Sequence, residues 1–167
     1  MAHPMLLALL SDTHDNARAT QAALALLQTH KPAAFLHAGD LVDPAMLAHF
    51  AGLPEFHFVF GNNEFDRATL RALALDLRLH CHGEMADLTF AGKRLALLHG
   101  HNHALFHKLA HSGDYAYLIH GHTHARHDSR LGPTRIINPG ALARAKHKSV
   151  ALLDVATDDL RFLDLAP

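Results

Sequence analysis

The chain has 167 residues, a formal net charge of −1 at pH 7 and 18 histidines, more than its 16 acidic or its 15 lysine and arginine residues. This length suits one domain, and the near-neutral charge gives no strong signal for binding nucleic acid or an anionic membrane. A single cysteine, Cys81, excludes an intrachain disulfide framework and a cysteine-based zinc finger, and it fits a cytoplasmic location.

Strand and helix signals alternate in the first half of the chain. Apolar runs predict strands, and helical spacing of Ala and Leu predicts helices, in the order 5–10, 17–29, 33–37, 45–50, 55–60 and 67–77. Three strands separated by helices predict parallel βαβ units. The first run is too short to span a bilayer, which takes about 20 apolar residues, and it lacks the basic start of a signal peptide.

The second half is predicted to be largely antiparallel. Three hairpins are expected, with a helix over 103–111 and a strand over 115–120 between the first two; their paired strands are 86–90 with 94–98, 125–130 with 134–137, and 149–155 with 160–165. No internal repeat, linker or low-complexity segment interrupts the chain. We therefore predict one domain over residues 1–167.

Polar side chains follow the predicted strands where each strand ends. In open parallel sheets the functional crevice lies beyond the carboxyl ends of the strands. The residues concerned are Asp12, His14, Asp40, Asn62, His99, His122 and His124. All are oxygen or imidazole ligands, which suit Mn, Fe, Co, Ni or Zn better than Ca. Seven ligands exceed the needs of one ion, so two ions sharing the two oxygens of Asp40 are expected.

Spacing suggests how the paired ligands converge. Residues two apart on an extended strand point the same way, so Asp12 can enter one site with His14, and His122 can do so with His124. Another histidine series, at positions 103, 107 and 111, has helical spacing. We predict that this series forms an exposed helix face.

Five motifs in chain order resemble those of the calcineurin-like metallophosphoesterases. They are Asp12-x-His14, Gly39-Asp40, Gly61-Asn62, His99-Gly100 and Gly121-His122-Thr123-His124, and the resemblance runs from Ser11 to Asn138-Pro139-Gly140. Length and spacing are closest to the small capless bacterial and archaeal phosphodiesterases, a group that includes the Vps29-type retromer subunit. The resemblance implies an α/β fold, a four-layer α/β/β/α sandwich with two mixed β-sheets.

The resemblance also implies a ligand set and a reaction. One divalent ion would be held by Asp12, His14, Asp40 and His124, and a second by Asp40, Asn62, His99 and His122. A hydroxide bridging the two ions would attack a phosphodiester, with Asp40 and Asn62 taking part in catalysis. Manganese is the metal expected first, with Fe, Ni, Co or Zn as alternatives. The expected substrates are small nucleotide-type diesters, cyclic nucleotides among them, or activated diesters.

One residue departs from the family pattern. Many members carry a histidine directly after the motif asparagine, where it protonates the leaving group, whereas this chain has Asn63. Asparagine cannot act as a general acid. The proton must come from water or from another residue such as His101, or must be unnecessary, and this favours diesters over monoesters.

Two functions of other classes stay open. A non-catalytic scaffold of the Vps29 type would use the same fold as a binding surface, although it has no need of all seven ligands. A histidine-rich metal-storage protein would bind more than two ions per chain. Resemblance to the family further implies a homodimer or homotetramer.

Overall fold

The computed structural model describes residues 5–166, which form two β-sheets packed face to face with helices on the outer side of each. The strands are β1 Leu6–Leu10, β2 Ala34–His37, β3 Phe56–Phe58, β4 His80–Cys81, β5 Met85–Phe90, β6 Lys93–Leu98, β7 Tyr117–Ile119, β8 His127–Leu131, β9 Thr134–Asn138, β10 Ser149–Asp154 and β11 Asp159–Asp164. The helices are α1 Ala17–Gln28, α2 Arg67–Asp76, α3 His103–Ser112 and a 3-10 helix, Pro44–Phe50.

Both sheets are mixed. The first has the order β11-β10-β1-β2-β3-β4, in which β1 to β4 are parallel and β10 is antiparallel to β1. The second has the order β5-β6-β7-β9-β8, in which β6, β7 and β9 are parallel and the two outer strands are antiparallel to their neighbours. The predicted α/β/β/α sandwich with two mixed sheets is therefore confirmed.

Alternation along β1 shows how the layers are held together. Leu7 and Leu9 lie in the core between the two sheets, while Ala8 and Leu10 lie in the core under α1, α2 and the 3-10 helix. Successive side chains of a strand point to opposite faces, so this fully apolar strand is buried on both sides. A third core joins α3 to the outer face of the second sheet.

The predicted elements agree with the observed ones to within a few residues. β4 was not predicted because its two residues are too short for any periodicity to appear. The segment predicted as a short helix at 45–50 is a 3-10 helix that begins at Pro44, with the Asp43 side chain accepting a hydrogen bond from the backbone N–H of Ala45. Among the helices between residues 5 and 166, none is long and apolar enough to cross a membrane.

Candidate metal centre

The loops that follow five strands meet at one end of the sandwich. Asp12 follows β1, Asp40 follows β2 and Asn62 follows β3, three neighbouring parallel strands of the first sheet. In the second sheet His99 comes directly after β6, and the loop carrying His122 follows β7. The carboxyl ends of parallel strands lie at one edge of a sheet, so the topology gathers these residues at the crevice predicted from sequence.

Asp12 is fully buried, and its two carboxylate oxygens differ in their surroundings. Oδ2 accepts hydrogen bonds from the Ser11 hydroxyl at 2.6 Å and from the backbone N–H of His122 at 3.1 Å. Oδ1 has no hydrogen-bond partner among the described residues, although Nε2 of His124 lies 3.1 Å away. A buried carboxylate oxygen left unpaired is costly, and a cation bound between it and the imidazoles relieves that cost.

Four residues offer ligand atoms that all lie within 4.8 Å of one another: Asp12, His14, Asp40 and His124. Nε2 of His14 is 3.3 Å from Nε2 of His124 and 3.4 Å from Oδ2 of Asp40. Two imidazole nitrogens bound at about 2.0–2.1 Å to one tetrahedral ion also lie about 3.3 Å apart. These four residues are one of the two ligand sets that the family resemblance implies, and their arrangement fits a divalent ion.

The second ligand set is only partly gathered. Nδ1 of His99 lies 2.8 Å from the carbonyl oxygen of Ala38, so that nitrogen donates and Nε2 is left facing Oδ2 of Asp40 at 3.3 Å. The His122 ring packs against the His99 ring, with centroids 5.1 Å apart. Asn62 is exposed, and its side chain forms no hydrogen bond within residues 5–166.

Asp40 lies between the two groups, and its environment keeps it ionised. Burial acts to raise the pKa of this carboxyl, but hydrogen bonds from His99 and Asn63 outweigh burial and hold the pKa well below its usual range. Burial also acts to lower the pKa of His99, yet contact with Asp40 leaves that pKa raised. Burial lowers the pKa of His14 and of His122. A charged carboxylate surrounded by imidazoles is a suitable bridge between two cations.

The sequence argument for how the ligands converge is wrong in its geometry. β1 ends at Leu10 and β7 ends at Ile119, so the paired ligands lie in loops and not on extended strands. Asp12, His14, Asp40, His122 and His124 all have left-handed backbone conformations, with φ of 54°, 39°, 57°, 68° and 56°. Such conformations cost on the order of 1–3 kcal/mol each and are concentrated at functional sites.

Glu64 is a buried carboxylate that the sequence argument missed. It accepts hydrogen bonds from the backbone N–H groups of Gly61 at 2.6 Å and Val42 at 3.2 Å, and from that of Leu41. Burial raises its pKa, partly offset by these hydrogen bonds. Glu64 thereby ties the loop after β2, which carries Asp40, to the loop after β3. The only feature of the sequence that could have indicated this role is the position of Glu64, three residues after Gly61 in the turn that follows a predicted strand.

Two motif glycines are required by close approach. A Cβ on Gly61 would collide with the Asp40 carboxylate and lie 2.7 Å from the Asp40 backbone nitrogen. A Cβ on Gly121 would collide with the Ser11 hydroxyl and lie 2.6 Å from Oδ2 of Asp12. The glycines therefore let neighbouring loops pack directly onto the two buried carboxylates.

His101 lies at the edge of the centre. Its ring centroid is 5.5 Å from that of His99 and 6.3 Å from that of His122. Nε2 is 3.8 Å from a carboxylate oxygen of Glu84, and Nδ1 is buried with no hydrogen-bond partner in the described part of the chain. Burial lowers the pKa of His101. The residue is therefore close enough to the candidate ligands to contact a substrate bound there.

Several solved structures are similar to this chain. An archaeal phosphodiesterase superposes with a TM-score of 0.90 at 23% identity, over 96% of this chain and 100% of its own. The phosphoesterase YfcE from E. coli superposes with a TM-score of 0.68 at 18% identity, over 97% of this chain and 100% of its own. Zinc-complexed Vps29 from Entamoeba histolytica superposes with a TM-score of 0.68 at 20% identity, over 96% of this chain and 99% of its own. At these identities the similarity establishes the fold.

The family is established by a match across most of the chain. The model of the calcineurin-like phosphoesterase superfamily domain matches residues 5–158, which include every candidate ligand. No curated protein sequence matches the chain. On the family match, the chain belongs to the calcineurin-like phosphoesterase superfamily.

Proposed function

We propose that this protein hydrolyses phosphodiesters at a centre of two divalent metal ions. The observation that carries the proposal is the group of four ligand atoms within 4.8 Å, in which the buried Oδ1 of Asp12 has no partner among residues 5–166. Membership of the superfamily supports a hydrolase acting on phosphoric esters.

The proposed ligand sets share Asp40. Asp12, His14, Asp40 and His124 would hold the first ion, and Asp40, Asn62, His99 and His122 the second. Manganese is the metal we expect first, and Fe, Ni, Co or Zn would suit the same donors. Divalent ions bound there supply the positive charge that activates water at neutral pH and neutralises the phosphoryl oxygens.

The protein's own groups prepare the site for this chemistry. Asn63 donates two hydrogen bonds to Asp40, which fix the orientation of the carboxylate. Asn62 is exposed, and its amide oxygen would be a ligand of the second ion. We assign leaving-group protonation to His101, because the amide of Asn63 is too weak an acid to transfer a proton and His101 lies beside His99 and His122.

A basic cleft of about 690 Å³ beside His124 favours an anionic substrate. Arg126, Arg144 and Lys146 line it, and Arg126 is paired with Asp164. No carboxylate forms an ion pair with Arg144 or Lys146 among the described residues. The Arg144 guanidinium is near enough to contribute to the lowered pKa of His14, although burial contributes more. Two unpaired cations beside the centre would attract a phosphodiester.

The proposed substrates are small nucleotide-type diesters, including cyclic nucleotides, or activated diesters. The direct test is hydrolysis of bis(p-nitrophenyl) phosphate by the Mn-loaded protein, in parallel with Asp40→Asn and a control variant, Asp114→Asn, whose carboxylate is exposed. We expect the wild type and the control to be active and Asp40→Asn to be inactive. Absence of hydrolysis by the wild type, or full activity of Asp40→Asn, would contradict the proposal.

The alternative of a Vps29-type scaffold is decided by activity and not by metal binding. A Vps29 structure similar to this chain is a zinc complex, so bound metal alone does not separate the two functions. Hydrolysis that depends on Asp40 would separate them. Cytoplasmic location and assembly into a homodimer or homotetramer stay predictions.

A further inference from the structure

Another cleft, of about 460 Å³, lies beside the candidate ligand His122. Its walls include Phe106 and His107 from α3, and His120 and His122 from the end of β7 and the loop that follows it. Volumes of about 300–1,000 Å³ are typical of small-molecule sites. None of the residues that line this cleft in the described part of the chain is Lys, Arg, Asp or Glu, so its chemistry differs from that of the basic cleft.

The walls present aromatic rings. His103, Phe106 and His107 occupy positions i, i+3 and i+4 of α3, which places them on one helix face. Phe106 is half-buried and packs against His120, with ring centroids 5.0 Å apart and an interplanar angle of 77°. His107 is exposed and stacked on His111 at 4.4 Å. The series 103, 107 and 111 is therefore exposed as predicted, but its first two members border a cleft.

The cleft is continuous with the metal centre. His122 is both a candidate ligand and part of the cleft wall, and Thr123 lines this cleft as well as the basic one. A phosphate at the centre would therefore lie beside residues of both clefts. The basic cleft suits an anionic or solvated group, and the aromatic cleft suits a flat, uncharged one.

His120 is a buried member of the aromatic cleft wall. Only 7% of its surface is exposed. Nδ1 lies 3.1 Å from the carbonyl oxygen of Gly121, so Nδ1 donates a hydrogen bond and Nε2 is left as an acceptor. Nε2 has no hydrogen-bond partner within residues 5–166. Because Nε2 is itself buried, His120 contributes to the cleft wall through its ring.

We propose that this cleft is the subsite for a flat aromatic substituent of the phosphodiester, such as a nucleobase, which stacks on Phe106 while the phosphate lies at the metal centre. The inference rests on the proposed function for the phosphate and on the cleft walls for the aromatic group. Bases stack on aromatic side chains whatever their identity, and replacing the side chain by alanine weakens binding by about tenfold or more.

Binding to the metal-free protein tests the cleft without any catalysis. The probes are adenosine and ribose, which share the sugar and differ in the base, titrated by calorimetry in the presence of a chelator. We expect the wild type to bind the nucleoside at least about tenfold more tightly than the sugar, and Phe106→Ala to lose this preference. Equal affinities in the wild type, or an unchanged preference in Phe106→Ala, would overturn the proposal.

Two further variants separate stacking from a general loss of structure. Phe90→Ala removes another half-buried phenylalanine, at the end of β5 away from the centre, and should keep the preference. Phe106→Leu keeps an apolar side chain over His120 and should fold normally but bind the base less tightly. If Phe90→Ala loses the preference as fully as Phe106→Ala does, the cleft is not the subsite.

Kinetics of the Mn-loaded protein distinguish failure of this inference from failure of the proposed function. We expect Phe106→Ala to raise KM for bis(p-nitrophenyl) phosphate about tenfold with little change in kcat, because the aromatic contact is made in ground and transition states alike. An unchanged KM would contradict the subsite while leaving the hydrolase intact. A wild type that hydrolyses nothing would contradict the proposed function, and the nucleoside titration would still decide the subsite.

Discussion

Asn63 makes two hydrogen bonds to Asp40: its side-chain amide donates to Oδ2 at 2.8 Å and its backbone N–H donates to Oδ1 at 3.0 Å. Sequence comparison presents Asn63 as the residue that replaces a general acid. The structure gives it a different part, since it orients the carboxylate that the two proposed ions share. Groups that orient metal ligands are often nearly as important as the ligands.

Asn63→Ala should therefore weaken metal binding. It removes the side-chain hydrogen bond to Oδ2 and keeps the backbone one, and losses of this kind reduce metal affinity about 10–100-fold. Competition between the protein and a chromogenic chelator for Mn or Zn measures the change. An affinity equal to that of the wild type would mean that Asn63 does not position the bridging carboxylate.

His101→Gln should slow the hydrolysis of diesters with poor leaving groups. A general acid contributes about 100-fold or more when the departing alkoxide needs a proton, and little when the stable p-nitrophenolate anion leaves. Rates are compared for bis(p-nitrophenyl) phosphate and for a dialkyl diester. Equal effects of the substitution on both substrates would exclude His101 as the acid.

Glu64→Ala should reduce both stability and metal affinity. It leaves three backbone N–H groups of the loops after β2 and β3 without their acceptor, at a cost of at least about 2 kcal/mol. Urea unfolding in a chelator measures the stability, and a separate metal titration measures the affinity. The matched control is Glu84→Ala, which loses an exposed ion pair with Arg67 and a longer contact with His101 and should change stability by less than about 1 kcal/mol. If the two variants lose equal stability, Glu64 does not brace these loops.

Most strands and helices of the fold could be predicted from the sequence, because each is specified by a pattern over a short stretch of residues. The fully apolar β1 and the Asn16 cap, whose side chain accepts from the N–H of Ala19 at 3.1 Å, have clear patterns over short stretches. The short β4 had none. The parallel pairing of β6, β7 and β9 was not predicted, and the second half was expected to be largely antiparallel, because periodicity specifies strands but not their partners.

Part of the candidate site could likewise be predicted from the sequence, and part could not. Asp12, His14, Asp40 and His124 were predicted as one ligand set, and the structure brings them together. Their left-handed backbone could not be predicted, because spacing alone makes extended and left-handed segments look the same. Glu64 was missed since its role depends on backbone N–H groups of a loop more than 20 residues away, which no local pattern records.

Acid should destabilise the metal-free protein through buried neutral histidines. Burial lowers the pKa of His37 to about 3, and contact with His99 adds to this. The unfolded state has a pKa near 6.5, so it binds more protons between these values; the stabilisation is complete above about pH 6.5 and is lost as the pH falls below it, by about 1.4 kcal/mol per pH unit for one histidine.

His37→Gln isolates this effect. In the wild type, Nδ1 of His37 accepts a hydrogen bond from the backbone N–H of Gly39 at 3.2 Å. The amide oxygen of glutamine can still accept this hydrogen bond. Urea unfolding in a chelator between pH 7.5 and pH 5 should give a shallower pH dependence for the variant than for the wild type. Parallel curves would show that His37 is not the group that takes up the proton on unfolding.

The most direct test of the central claim is metal stoichiometry measured together with activity on the same sample. Apoprotein is titrated with Mn, bound metal is counted by elemental analysis after equilibrium dialysis, and hydrolysis of bis(p-nitrophenyl) phosphate is followed at each step. The account predicts that two ions bind per chain and that activity rises to a plateau at the second equivalent. Binding of more than two ions without a plateau, or two bound ions with no hydrolysis, would contradict it.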